Sequence, residues 1–233
     1  MYSVVLPAYL EEENLRLLLP RLHAVLSAQP EPYEVIVVDT PTPLDATEAA
    51  CHEHRARFVR RSPGTTFGDA VRTGIREARG QWIVFMDADG SHAPEFIPRL
   101  LEQTGAHDIV IASRYVEGGY TENDRTLVAM SRLLNASYSL VLQLKVKDVS
   151  NSFKVYRADL LQALTLTCNN FDIVEEILYK IVRRHPAVRI KEVPFSFKKR
   201  MFGETKRNLL AFMATYLFTM LRLRFRSGGP ETP

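Results

Sequence analysis

Short apolar runs that alternate with helical repeats constrain this chain more than any other feature of it. Residues 3–6, 33–38, 82–86 and 108–113 are brief, mostly unbroken apolar stretches. Strands buried on both faces of a parallel sheet have that character. Residues 57–60 form a shorter fifth candidate. Helical spacings fall between them. Leu15, Leu18, Leu19, Leu22, Val25 and Leu26 recur on one helical face, and Glu11, Glu12 and Glu13 sit at its start, where the helix dipole favours negative charge. Asp45 and Glu48 read as a capping box for a second helix. Val71, Gly74, Ile75 and Ala78 mark a third, with Gly80 as its C-cap, and Pro94 opens a fourth. The alternation predicts an α/β fold, a mostly parallel sheet with helices on both faces. A longer helix is expected over 127–141. Residues 152–156 and 188–197 are expected as strands at a sheet edge, and 208–226 as an apolar closing helix.

With 233 residues, 46% of them hydrophobic and 24% charged, the chain can bury a core without disulfides. Cys51 and Cys168 lack metal-ligand spacing and read as two reduced thiols. Met1 runs almost directly into the first strand, so no signal peptide is expected. No apolar run reaches the ~20 residues of a membrane span. The formal net charge is only +3. Between Ser196 and Arg226, however, eight Lys or Arg face a single acid, Glu204. That excess favours phosphates or an anionic membrane surface, and nucleic acid is not an expected partner. The expected organisation is one domain over 1–207, an amphipathic helix over 208–226 and a disordered tail over 227–233. The expected location is the cytoplasm, peripheral to the inner face of the membrane.

Ligands on such sheets sit beyond the carboxyl ends of the strands. Those ends read Pro7-Ala8-Tyr9-Leu10-Glu11, Asp39-Thr40, Asp87-Ala88-Asp89 and Arg114-Tyr115. Asp87 and Asp89 are two apart on an extended segment, so their carboxylates point the same way. They repel unless a cation lies between them. Mg²⁺ or Mn²⁺ fits, because such ions take one or two carboxylates plus substrate phosphates. Gly90 permits a sharp exit, and Ser91 and His92 add polar contacts.

The run Phe85-Met86-Asp87-Ala88-Asp89-Gly90-Ser91-His92-Ala93-Pro94-Glu95 resembles the hallmark of family 2 glycosyltransferases, and among them the dolichyl- or polyprenyl-phosphate mannosyltransferase group. Leu6-Pro7-Ala8-Tyr9-Leu10-Glu11-Glu12-Glu13-Asn14 is similar to that group's first motif, and Ala112-Ser113-Arg114-Tyr115-Val116-Glu117-Gly118-Gly119 to its post-strand motif. Ser152-Phe153-Lys154-Val155-Tyr156-Arg157 and two stretches within 192–206 resemble later blocks. The resemblance implies a GT-A, Rossmann-like fold. It also implies an inverting transfer of a hexose, with mannose favoured, from a nucleoside diphosphate sugar to a polyprenyl phosphate. GDP-mannose is the favoured donor and a UDP-sugar the other. By the same resemblance Pro7, Tyr9, Glu11, Val37 and Asp39 hold the nucleoside. Asp87, Ala88, Asp89 and Ser91 surround metal and diphosphate, and Arg114, Arg200 and Lys206 meet phosphates. A phosphate monoester acceptor is largely dianionic at neutral pH and needs no protein base.

Several positions depart from that pattern. The paired aspartates after the second strand are Asp39-Thr40, a Gly-Ser stretch is Pro41-Thr42-Pro43-Leu44, and Leu10 replaces an Asn. An Arg is expected four residues before Ser131, yet that position is Leu127. Arg125 and Arg132 are therefore the candidates for the acceptor phosphate. The alternatives are a glycosyltransferase with a non-lipid acceptor and a non-catalytic nucleotide-sugar-binding protein. A sugar-nucleotide pyrophosphorylase would carry a glycine-rich loop where this chain has Glu11-Glu12-Glu13-Asn14.

Overall fold

The computed structural model describes residues 1–198 and 209–226. In chain order the elements are β1 (Tyr2–Pro7), α1 (Glu12–Ser27), β2 (Tyr33–Asp39), α2 (Thr47–Glu53), β3 (Arg57–Arg60), α3 (Phe67–Glu77) and β4 (Trp82–Phe85). A 3-10 turn (Pro94–Phe96) leads into α4 (Ile97–Leu101). Then come β5 (Ile109–Ser113), β6 (Tyr120–Thr121), α5 (Arg125–Leu142), β7 (Lys154–Arg157) and α6 (Ala158–Gln162). The chain continues through α7 (Ile173–Arg184), β8 (Ile190–Pro194), β9 (Ser196–Phe197) and α8 (Leu209–Arg226).

Seven strands form one sheet in the order β3-β2-β1-β4-β7-β5-β8, and β6 pairs with β9 separately. Within it only β7 runs antiparallel, between β4 and β5. The chain winds outward from β1 through β2 to β3, then returns to place β4 on the other side of β1. The order reverses between β1 and β4, which opens a crevice beyond their carboxyl ends. Pro7-Ala8-Tyr9 and Asp87-Ala88-Asp89 both leave the sheet there.

The sheet divides two apolar layers. One joins Leu6, Leu15, Leu19, Leu22, Val37 and Ile97 on the α1 and α4 side. The other joins Val5, Ile36, Val71, Ile83, Tyr138, Ile177 and Met220 beneath α3, α5, α7 and α8. Both cysteines are buried free thiols.

Three expectations need correction. The segment expected at an edge over 152–156 is β7, a central strand. Lys154 faces Phe85 and Ile111 across the ladder and is fully buried. A lysine reads as an edge residue, but here the carbonyls of Val149 and Asn151 take its ammonium group. Asp45 does not form a capping box. It stands ahead of the first turn of α2, and it accepts from Thr47 N–H at 3.0 Å and from Glu12 N–H at 3.1 Å, tying α2 to α1. The capping box belongs instead to α3, between Thr66 and Asp69; against the opposing effect of burial, it and the Arg72 guanidinium hold the pKa of the Asp69 carboxyl down at about 2. Gly80 is no C-cap, since α3 ends at Glu77. A Cβ at Gly80 would lie 2.7 Å from the Ser3 backbone nitrogen, so the glycine lets β1 approach.

Candidate active site

The acidic loop leaves β4 and turns at Gly90, whose φ of +79° lies in the region open to glycine. Three contacts set it. Ser91 donates both its N–H (3.0 Å) and its Oγ–H (2.6 Å) to Asp89 Oδ1. Ser152, just ahead of β7, donates to Asp87 Oδ1 at 2.8 Å. His92 is fully buried and accepts the Asp87 backbone N–H on Nδ1 at 2.9 Å. Accepting there places the ring proton on Nε2, which faces Asn151 Oδ1 at 3.2 Å. The imidazole stacks on Phe153 at 4.8 Å between centroids. Burial lowers its proton affinity, so it stays neutral although Asp87 Oδ2 is 3.9 Å from Nε2.

The side of the crevice expected to hold a nucleoside is built by the ends of β1 and β2. Tyr9 is exposed, and Pro7 is half-buried at the end of β1. Glu11 is buried at the start of α1 and accepts from Asn14 Nδ2 at 2.5 Å. Asp39 is buried at the end of β2. Its Oδ1 has no hydrogen-bond partner among the described residues, and burial raises its pKa. Val37 and Ala88 lie inside the packed sheet layer, so they support the crevice from beneath.

Arg114, expected to meet phosphate, is bound within the protein. Its backbone N–H, Nε and Nη2 all donate to buried Asp148, at 2.8, 2.8 and 2.7 Å, and Nη2 also donates to Ser150 at 3.0 Å. This paired charge, with burial opposing it, holds the guanidinium firmly protonated. Arg114 is first a strut that fixes the loop between α5 and β7. Glu192 on β8 braces the same loop, accepting from Ser113 Oγ, Lys147 N–H and Asp148 N–H.

Arg125 is exposed at the first turn of α5, and Ser131 and Arg132 lie near the middle of that helix. Asn135 ties α5 to the braced loop, accepting from Ser150 N–H at 2.9 Å and donating to Ser150 Oγ at 3.0 Å. A continuous polar network thus runs from the acidic loop through 150–152 to α5. Arg200 and Lys206 lie outside the described residues. The last described residue before them, Lys198, donates its backbone N–H to Ser91 O at 3.3 Å, so the chain passes the acidic loop on its way to residue 199.

A sequence model of glycosyl transferase family 2 matches residues 3–165, more than half of the chain. The chain belongs to that family.

This family 2 glycosyltransferase is 35% identical over 211 residues to a dolichol-phosphate mannosyltransferase of Pyrococcus furiosus. The match covers 88% of this chain and 58% of that protein, so the chain spans little more than half of that relative's length. It is also 35% identical over 213 residues to an undecaprenyl-phosphate mannosyltransferase of Micrococcus luteus, covering 87% and 85% of the two chains. Among solved structures it resembles glucosyl-3-phosphoglycerate synthase of Mycobacterium tuberculosis in complex with Mn²⁺, UDP and glucosyl-3-phosphoglycerate. The TM-score is 0.73 at 21% identity, over 96% of this chain and 80% of that one. That likeness speaks for the fold, a GT-A α/β architecture.

The donor set of this family 2 glycosyltransferase suits a divalent cation shared with a ligand. Among the described residues no three His, Cys, Asp or Glu side chains gather into a cage. Two neighbouring carboxylates at a crevice, each steered by a hydroxyl, match an ion that completes its shell with phosphate oxygens. Ser91 serves here as the group that orients Asp89. Asp148, Asn151 and Ser152 were missed in the sequence, because their partners Arg114, His92 and Asp87 lie 34 to 65 residues away.

Proposed function

We propose that this chain transfers a hexose, with mannose favoured, from a nucleoside diphosphate sugar to a polyprenyl or dolichyl phosphate, inverting the anomeric carbon. The observation that carries the reading is the acidic loop itself. Asp87 and Asp89 are held by Ser152, Ser91 and His92 at the switch point between β1 and β4. A Mg²⁺ or Mn²⁺ bound there would neutralise charge developing on the leaving diphosphate. The chain's residues do the remaining work. Asp39 offers a buried, unpartnered acceptor, as suits a nucleobase ring N–H. Guanine and uracil both present one, so GDP-mannose is favoured on family grounds and a UDP-sugar remains the other donor. Pro7, Tyr9 and Glu11 line the nucleoside side, with Val37 and Ala88 beneath. Arg200 and Lys206 are assigned to the diphosphate, following a strand that touches the acidic loop. Ser131 with Arg125 or Arg132 receives the acceptor phosphate, near Arg114. The phosphate attacks as a dianion, so no general base is required.

Membrane attachment through α8 belongs to the same reading. Among the described residues no helix is long and apolar enough to cross a membrane. α8 packs on α5, with Tyr138 Oη donating to Tyr216 O at 2.7 Å, and buries Tyr216, Met220 and Leu223. Leu217, Phe218, Leu221 and Phe225 stay exposed beside exposed Arg224, as do Leu133 and Leu140 on α5. An apolar face with basic neighbours suits the interface of an anionic bilayer.

The test is a donor screen with GDP- and UDP-sugars, Mg²⁺ or Mn²⁺, and a short polyprenyl phosphate. Sugar-phosphoryl-polyprenol should form with one donor. Transfer only to a soluble phosphate acceptor would move the reading to a non-lipid substrate, and nucleotide binding without turnover would reject it. Flotation with anionic vesicles tests the surface. Leu221→Asp/Phe225→Asp should lose binding, and unchanged flotation would remove α8 as the anchor.

A further inference from the structure

The acceptor side of the crevice holds an arrangement that the motif pattern does not announce. Tyr115 stands at its centre. The Arg114 guanidinium lies over the Tyr115 ring at 5.0 Å, and the Arg132 guanidinium lies over the same ring at 5.6 Å. The Tyr115 hydroxyl donates to Ser131 Oγ at 2.7 Å. Two adjacent residues of α5 are thus carried by one side chain from the loop after β5.

These contacts differ in kind. Arg114 is committed to Asp148 and Ser150, so it is fixed. Arg132 is exposed, and the ring is a soft seat that favours its charge over Tyr115 without saturating its donors. Ser131 accepts from Tyr115, and more distantly from Asn135 Nδ2 at 3.4 Å. A hydroxyl that accepts in this way keeps its own hydrogen to donate. Asn135 Nδ2 also bonds Ser131 O at 2.8 Å, fixing that turn of the helix. A cation and an O–H donor side by side suit a phosphate oxygen.

We propose that Tyr115 is a positioning residue for the acceptor phosphate: its ring seats the Arg132 guanidinium and its hydroxyl turns the Ser131 hydrogen outward, so that both meet the same phosphate. This rests on the reading of the acceptor as a polyprenyl phosphate. It resolves the displaced arginine of the sequence pattern. Leu127 is exposed and apolar, and the cation comes from Arg132, five residues later on α5.

The experiment is steady-state transfer to a short polyprenyl phosphate by the full chain and four variants: Tyr115→Phe, Tyr115→Leu, Arg132→Ala and the double Tyr115→Leu/Arg132→Ala. Tyr115→Phe keeps the ring and loses the hydroxyl, and it should raise the acceptor KM about three-fold. Tyr115→Leu and Arg132→Ala should each raise it about ten-fold. The double variant should be little worse than either single, because Tyr115 acts largely through Arg132. The donor KM should stay near the wild-type value in all four, which also shows that the fold is kept. An unchanged acceptor KM in Tyr115→Leu overturns the proposal, as does an equal rise for donor and acceptor. If the wild type transfers sugar to no polyprenyl phosphate, the acceptor reading fails and this inference with it.

Discussion

The Nδ1 atom of His92 accepts the backbone N–H of Asp87 at 2.9 Å, which makes a fully buried imidazole the internal support of the acidic loop. His92→Phe would keep the stack on Phe153 and remove both ring nitrogens. The Asp87 N–H and Asn151 Oδ1 would each lose a partner. A cost of about 1–3 kcal/mol in urea unfolding is expected. Weaker binding of Mn²⁺ with a nucleoside diphosphate is expected beside it, read by calorimetric titration. Unchanged nucleotide affinity would show that the loop does not depend on His92.

Asp148 is the sole carboxylate bonded to Arg114 among the described residues, and both groups are largely shielded from water. Removing one partner of such a pair leaves an uncompensated charge. Asp148→Ala should therefore lose about 3–5 kcal/mol of stability in chemical denaturation. A loss under ~1 kcal/mol would mean that Arg114 finds water or another partner, and that the strut is dispensable.

Glu175 on α7 is fully buried, and neither carboxylate oxygen has a hydrogen-bond partner among the described residues. Burial pushes its pKa well above the usual 4.5, and Lys154, buried with it, opposes that rise. Above pH 4.5 the unfolded chain releases this proton while the folded chain retains it, so this group makes stability fall as pH rises from there. Glu175→Gln removes that slope. The variant should be the more stable protein at pH 8 by about 1–3 kcal/mol, with the gap closing towards pH 5. Guanidinium unfolding at the two pH values checks it, and an equal gap at both would contradict it.

Leu10 stands in the left-handed region, with φ of +58°, and is exposed beside exposed Tyr9. A leucine there carries a backbone penalty that asparagine tolerates better. Leu10→Asn should raise stability by roughly 1 kcal/mol in a melting experiment. A lowered midpoint would mean that Leu10 contributes packing that its exposure conceals.

The parallel half of the sheet was legible because its strands are local apolar runs with helical repeats between them. The position of β7 was not legible, since a lysine signals an edge and only the folded chain supplies the carbonyls that accept its ammonium. The acidic pair was legible as a candidate because two carboxylates two residues apart, after an apolar strand, repel each other at the carboxyl edge of a sheet, where a cation would offset that repulsion. The buried partner of Arg114 could not be found in the same way. It is 34 residues distant, and sequence pattern does not separate an arginine awaiting phosphate from one bound to a buried aspartate. Asp45 shows the same limit: its spacing to Glu48 suggests a cap, but tertiary contact with α1 takes the carboxylate instead.

The most direct test of metal-assisted sugar transfer at this loop is turnover by Asp89→Ala. The assay uses the donor found by the screen, saturating Mn²⁺ and a polyprenyl phosphate, with folding verified by circular dichroism. Loss of at least about a hundred-fold in kcat is expected, the scale of removing a group that stabilises developing charge. Near-normal turnover by a folded Asp89→Ala protein would contradict it.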